Sequence, residues 1–300
     1  MNRGGADTGR PMRLLLLALP YAWLLLFFLL PFLIVAKIAL SEAAVGIPPY
    51  APLLRWTEEN VLTVVLNFGS VTTLIEDSFY LEAYLRSLRV AAISAILCLL
   101  LGYPMAYAIA RAPEHRRNLL LMLVILPFWT SFLLRVMAWI GLLQDQGVVN
   151  GLLLSLGLIS EPLRLLYTEA AVYLGIVYCY LPFMVLPLYA TLSKLDPVLL
   201  EAAADLGARP FRAFLTVTLP LSLPGIAAGF MLVFIPAVGE FVIPELLGGP
   251  SAQLVGRVLW VEFFQNRDWP MASALAVALL LVLVVPIALF QRLSARQAAR

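Results

Sequence analysis

Residues 196–226 read Asp-Pro-Val-Leu-Leu-Glu-Ala-Ala-Ala-Asp-Leu-Gly-Ala-Arg-Pro-Phe-Arg-Ala-Phe-Leu-Thr-Val-Thr-Leu-Pro-Leu-Ser-Leu-Pro-Gly-Ile, a short polar hairpin set into a strongly apolar chain. Asp196 is a favourable N-cap, and Pro197 fits the first helical position, where a missing N–H costs nothing. A helix is expected to start there and to end at Gly207. Leu199, Leu200, Ala203 and Leu206 recur between them at helical spacing, while Glu201 and Asp205 stand four apart on another face. A second short helix is expected from Pro210 through Thr218, with Phe211, Phe214 and Leu215 on its apolar side. Pro220 and Pro224 then mark the return to the bilayer.

The chain around this hairpin is 62% hydrophobic and 13% charged over 300 residues, which identifies an integral membrane protein. Charge-free runs cover Leu14–Ala36, Val90–Ala110, Asn118–Leu134, Ala170–Ser193, Ala213–Gly239 and Trp269–Gln291. Five have the roughly 20 residues that a spanning helix needs, and the third reaches that length by continuing past Arg135. Six spans are expected. The first resembles a secretory leader in having a basic flank, but its apolar run is long and no clear cleavage site follows, so it is expected to be retained.

Orientation follows from the arginines. Arg3, Arg10 and Arg13 precede the first span, Arg111, Arg116 and Arg117 follow the second, Lys194, Arg209 and Arg212 follow the fourth, and Arg292, Arg296 and Arg300 follow the sixth. Placing these clusters on one side puts 12 basic and 5 acidic residues there, against 8 basic and 13 acidic on the other. The positive-inside rule then assigns both termini and the hairpin to the cytoplasm. Glu58, Glu59, Glu161 and Glu262 fall outside. The net charge of +2 gives no reason to expect nucleic acid as a partner.

An external segment of about residues 41–80 contains Pro48, Pro49 and Pro52. Its apolar stretch Val61–Phe68 is too short to cross and is expected at the interface or capping the bundle. Gly102-Tyr103-Pro104 is expected to kink or thin the second span. A further external connection covers about residues 145–168. Cys98 and Cys179 fall inside spans and read as small apolar residues, and His115 stands alone, so no metal site is expected.

The hairpin resembles the loop that defines permease subunits of ATP-binding-cassette (ABC) importers. The matching residues are Glu201, Ala202 and Ala203, then Leu206, Gly207 and Ala208, the aromatic Phe214, Leu219-Pro220, and Pro224-Gly225-Ile226. The resemblance implies an all-α, six-transmembrane-helix type I importer permease fold in one domain covering 1–300. Its spans would run about 14–36, 90–110, 118–143, 170–193, 219–239 and 269–291. The loop 194–218 would be the coupling helix that docks on a cytoplasmic ATPase, with Glu201, Ala202, Ala203, Asp205, Leu206, Gly207, Ala208, Phe211 and Phe214 carrying the contact.

From about Ser87 to the C-terminus the chain also resembles the spermidine/putrescine importer branch. The residues concerned include Leu126-Pro127-Phe128-Trp129-Thr130-Ser131, Arg135, Ala138-Trp139, Asp145, Gly147, Asn150 and the run Gly239–Gly249. This implies a polyamine as the solute, moved by alternating access. Permeases for ferric iron, thiamine and sulfate share much of the pattern and are the alternative within transport. A membrane scaffold whose hairpin only docks a partner is the alternative of another class. A carboxylate and aromatic faces suit a polycation, so Glu240, Asp145, Trp139 and Trp129 are the candidate pathway residues. Trp129 and Trp139 read equally as interface anchors. Helix length places Arg135 and Glu240 at similar depth in the outer part of the membrane, so Glu240 has three readings: an ion pair with Arg135, contact with the cation, or exposure at the mouth.

No G-x-x-x-x-G-K-[ST] loop is present and the only lysines are Lys37 and Lys194, so the chain is not expected to cradle ATP. No nucleophile or metal-ligand pattern suggests an enzyme. The resemblance therefore implies several partners: two cytoplasmic ATP-binding subunits that bind ATP and Mg, a second permease that is a different chain, and a periplasmic or extracellular substrate-binding protein. Membrane lipid surrounds the chain. It implies the bacterial cytoplasmic (inner) membrane as the location.

Overall fold

The computed structural model describes residues 9–56, 62–250 and 252–298. The sequence readings that fall on Arg3, Glu58, Glu59, Val61 and Arg300 lie outside them. Six helical segments are long and apolar enough to cross a membrane: Leu16–Ala39, Ser78–Arg111, Phe132–Ser155, Glu169–Leu192, Pro210–Val238 and Trp269–Ala288. The chain divides into two compact units, one of 1–77 with 261–280 and one of 78–260 with 281–300.

In the first unit, helix α1 is built from Gly9–Leu24, a π-turn Leu25–Leu29 and Leu30–Ala39. Its leucines from Leu16 to Leu33, with Phe27 and Phe28, stay exposed, as befits a helix whose solvent is lipid. Within the apolar stretch ending at Phe68, Leu62–Val64 forms strand β2, which pairs antiparallel with β1 Leu54–Trp56 in register Arg55 opposite Thr63. A short helix, α2 Gly69–Glu76, follows it. Trp269 stacks on Phe263 at 4.9 Å, and the Asp268 carboxylate accepts a hydrogen bond from the Met271 N–H at 2.9 Å, capping the last helix.

The second unit is organised by three helices: α3 Ser78–Arg111, α7 Glu169–Leu192 and α9 Pro210–Val238. Between α3 and α7 come α4 Glu114–Ile125, α5 Phe132–Leu143 and α6 Val148–Ser155. The hairpin helix α8 Val198–Asp205 precedes α9, and α10 Val255–Trp260 leads out of the unit. Trp269–Ala298 forms α11. Helix α3 begins twelve residues before the expected start of the second span, because charge-free runs mark the hydrocarbon crossing and not the helix end. Its extra turns carry Arg89, which bonds Glu169 of α7 at 2.9 Å through an exposed pair.

Small residues set how closely these helices approach. Ala91, Ala95, Cys98, Gly102, Ala106 and Ala110 line the buried face of α3. Met184 of α7 is wholly buried between two glycines: a Cβ on Gly102 would stand 3.1 Å from its side chain, and one on Gly229 only 2.7 Å. Lower down, a Cβ on Gly225 would meet Thr191 Oγ1 at 2.6 Å and the Pro187 carbonyl at 3.0 Å. Without a hydrophobic force between helices in lipid, this backbone contact supplies the packing.

Gly225→Val is therefore expected to cost about 1–3 kcal/mol through overpacking. The detergent-solubilised protein, followed by fluorescence-detected size exclusion after heating, should lose several degrees of midpoint. Gly151→Ala, where an added Cβ meets nothing within 4 Å, serves as the control and should leave the midpoint in place.

Candidate functional site

Two places in the second unit carry groups that ordinary packing does not explain. The first is the hairpin. The Asp196 carboxylate accepts from the Val198 N–H at 3.0 Å, doing the capping expected of it one position before Pro197. Helix α8 ends in a Schellman arrangement, with Gly207 N–H bonded to the Ala204 carbonyl at 2.8 Å and Ala208 N–H to that of Ala203 at 2.9 Å. Gly207 sits at φ +78°, a conformation that penalises any Cβ. Leu206 and Phe211 are 89% and 73% exposed, and Glu201, Ala202 and Asp205 are also open. Ala203 and Ala208 are half-buried.

Behind this face the hairpin is tied to the bundle. The Phe214 ring meets Tyr103 and Tyr107 of α3 edge-on, at 5.5 and 6.3 Å. Tyr103 and Ser222 share a hydrogen bond of 2.9 Å. The second hairpin helix does not stop at Thr218. A π-turn at Phe214–Thr218 moves the Leu219 N–H onto the Phe214 carbonyl, and the helix runs on through Pro220 and Pro224 to Val238. The π-turn changes the bonding register just ahead of Pro220, whose nitrogen has no hydrogen to donate.

The second place lies half-way along α7 and is built from two interruptions. In the third apolar region the helix breaks: Leu126–Trp129 is a 3₁₀ turn, Thr130 and Ser131 are extended, and α5 starts at Phe132. Pro127 lacks an N–H, and the Thr130 hydroxyl donates to the Pro127 carbonyl at 2.7 Å, so local bonds replace the helical ladder. The region expected as one helix over 118–143 is thus two. One turn beyond the break stands Arg135, 9% exposed. Its guanidinium carbon lies 5.0 Å from the Phe128 ring centre and 5.8 Å from that of Phe132, while Nε and Nη1 are buried without a hydrogen-bond partner.

The second interruption follows α9 at Gly239, and Glu240 occupies it, 7% exposed. One carboxylate oxygen accepts from the N–H groups of Phe241, Val242 and Ile243 at 3.2, 3.0 and 3.4 Å, capping the short helix 242–248. The other accepts from the Tyr180 hydroxyl. Tyr180 is eleven residues from the start of α7 and twelve from its end, so Glu240 sits beside the middle of that helix. Arg257 secures the far end of the run, bonding Glu245 at 2.5 Å and the Gly249 carbonyl at 3.1 Å.

Both charges face the same part of α7, each within electrostatic reach of Cys179. Aromatic rings bridge them: Phe128 meets Phe183 at 5.1 Å, and Phe183 meets Tyr180 at 5.9 Å. They form no ion pair, because Glu240 is satisfied by the helix it caps and by Tyr180. Trp139 joins the margin of this cluster, edge-on to Tyr178 at 5.4 Å. Trp129, 76% exposed, does not. Asp145 is also outside it, exposed on a cavity of about 470 Å³ that Gln144, Arg164 and Tyr167 share. Phe128 and Phe183 are not among the candidate pathway residues, and Tyr180, with Tyr178 and Pro182, reads from the sequence either as facing a cavity or as packing. The sequence signals that point to them are the two breaks, at Pro127 and Gly239, which face α7.

Residues 98–300 match the family described as "Binding-protein-dependent transport system inner membrane component". Over 275 residues the chain is 39% identical to the "Spermidine/putrescine transport system permease protein PotB" of Haemophilus influenzae, covering 92% of this chain and 91% of that one. Over 202 residues it is 36% identical to the "Molybdenum transport system permease protein ModB" of Mycobacterium bovis, covering 67% and 74%. Among solved structures, a bacterial ABC transporter involved in the import of the acidic polysaccharide alginate contains a chain of the same fold. It has a TM-score of 0.68 at 20% identity and covers 97% of each chain.

The open hairpin face and its left-handed turn generate a specific expectation. Gly207→Val should uncouple transport, leaving the protein in the membrane in normal amount while solute uptake and solute-stimulated ATP hydrolysis by the purified complex fall at least about tenfold, because the turn must reorganise by a kcal/mol or more. Retention of both activities would separate Gly207 from coupling.

Proposed function

The chain belongs to the family of binding-protein-dependent transport system inner membrane components, and on that premise we propose that it forms half of the pathway by which an ABC importer admits a polyamine. It is a permease subunit and a multi-pass inner-membrane protein; ATP hydrolysis belongs to a separate subunit. The single observation that carries the polyamine reading is the 39% identity to a spermidine/putrescine permease along nearly the whole of both chains. The chemistry beside the middle of α7 agrees with it: a carboxylate set among Tyr180, Phe183 and Phe128 suits ammonium groups, whose attraction to a charge and to ring faces strengthens as water is excluded. The likeness to a molybdenum permease supports a second reading, import of another small solute.

In this reading the loop 194–218 is the coupling helix, with Glu201, Leu206, Gly207 and Phe211 on the face that meets a cytoplasmic ATPase. Two such ATPases bind ATP and Mg. A second permease, a different chain, supplies the other half of the pathway, and a substrate-binding protein delivers the solute from outside. ATP binding draws the two hairpins together and opens the cavity outward; hydrolysis resets it. The chain contributes mechanical linkage and electrostatics to this cycle. The termini and hairpin face the cytoplasm, in keeping with the excess of basic residues beside them.

Uptake by the complete importer in proteoliposomes tests the substrate. Labelled putrescine or spermidine should accumulate only with ATP inside the ATPase compartment and the cognate binding protein outside. Accumulation of molybdate, with neither polyamine taken up, would establish the other reading.

The orientation has its own test. Single cysteines at 161 and 262 should react with an impermeant maleimide added to intact cells, and a cysteine at 201 should react only after permeabilisation. The native Cys98 and Cys179 are buried and give little background. Labelling of position 201 in sealed cells would reverse the topology.

A further inference from the structure

Arg135 is not accounted for by the fold or by the proposed transport of a cation. A positive charge inside a membrane-spanning segment is expensive, and such residues face partners or a solvated path. This one is nine-tenths buried with two nitrogens unpartnered, and the rings of Phe128 and Phe132 lie against its guanidinium. The nearby carboxylate that would neutralise it is engaged elsewhere, by three backbone N–H groups and Tyr180. The arrangement therefore holds two opposite charges apart at adjoining helix breaks, with rings between them. Broken helices inside a membrane are tolerated where they line a cavity, and paired breaks mark the place where solute passes.

Resting on the polyamine reading, we infer that Arg135 is a specificity-determining residue that sets how many positive charges a cation can carry past Glu240. Glu240 attracts the first ammonium group, and the guanidinium opposes every additional one. The fixed positive charge also prevents the carboxylate and rings from holding a polycation so firmly that it does not leave. A unit charge acting over about 10 Å at an effective dielectric constant near 20 alters the equilibrium for each added substrate charge on the order of tenfold. Discrimination between a dication and a trication is the property this controls. Total affinity is a less direct readout, because the binding protein also selects the solute.

The test compares putrescine, a dication, with spermidine, a trication, in the complete importer with one binding protein throughout. Wild type, Arg135→Met, Arg135→Gln and Arg135→Lys are measured per assembled complex. Relative to wild type, the Met and Gln variants should raise the spermidine-to-putrescine ratio of kcat/KM by about fivefold or more, with KM for spermidine falling, as loss of one repelling charge requires. The Lys variant should keep the ratio within about twofold, since it keeps the charge. An unchanged ratio in Met and Gln overturns the inference, as does a Lys variant that shifts as far as Met, which would make ring packing the cause. Met replaces a buried charge with an apolar stem and is the variant best suited to assemble. If neither uncharged variant assembles while Lys does, the charge serves folding and the inference fails. Wild-type uptake of neither polyamine removes the polyamine reading and this inference together, whereas normal wild-type uptake with an unmoved ratio removes the inference alone.

Discussion

A chain cannot break its helix within a hydrocarbon layer unless something takes up the freed backbone groups, and the carboxylate of Glu240 does this for the fifth span. Three N–H groups at the start of the helix 242–248 converge on one of its oxygens. The helix dipole favours a negative charge at that end. Tyr180 occupies the other oxygen and fastens the break to the middle of α7. The charge is thus stabilised by the same geometry that it makes possible. It needs no arginine, and this leaves Arg135 unpaired on the neighbouring break.

The packing around this point follows from the need to bring three helices together without a hydrophobic force between them. Glycines supply the approach: Gly102 and Gly229 enclose Met184, and Gly225 admits Thr191. Contacts along α7 then run in order from Thr191 against Gly225 to Met184 against Gly229, Tyr180 against Glu240, and Gly175 beside Ile243 and Leu247. The fifth span and its continuation lie antiparallel along α7 over its length. A one-turn slip would bring side chains onto the glycine contacts, so register is specified by shape as much as by the hydrogen bond at Glu240.

Much of this was legible in the sequence, unevenly. Asp196 and Gly207 state their roles by residue type, because a side-chain cap and a positive φ each have few chemical solutions, and the structure bears both out. The expected number of crossings follows from composition, and six helical segments among the described residues are long and apolar enough to make them. Helix ends were less legible: hydropathy locates hydrocarbon, so it missed the turns of α3 that carry Arg89 beyond it. The breaks beside Arg135 and Glu240 were less legible still, because a proline or glycine in an apolar run reads equally as a kink or as a stop. Tyr180 was hidden for a different reason. A tyrosine among apolar residues reads the same whether it packs or bonds, and its partner lies sixty residues away.

The continuity of α9 bears on how movement at the hairpin would reach the middle of the protein. Three prolines, Pro220, Pro224 and Pro236, fall within it, yet the helix runs from Pro210 to Val238 without a stop. The π-turn at 214–218 takes up the change in hydrogen-bond register before the first of them. Phe214, at the start of that turn, is held edge-on between Tyr103 and Tyr107. Phe214 therefore ties the start of α9 to α3, and the same helix continues to Gly239, next to Glu240. Helices bend at prolines and at π-turns, so 214–218, Pro220, Pro224 and Pro236 are the points at which α9 would flex between the hairpin and Glu240. Any linkage between the hairpin and the carboxylate must pass through these points, and the glycine contacts with Met184 and Thr191 hold the helix against α7 between them.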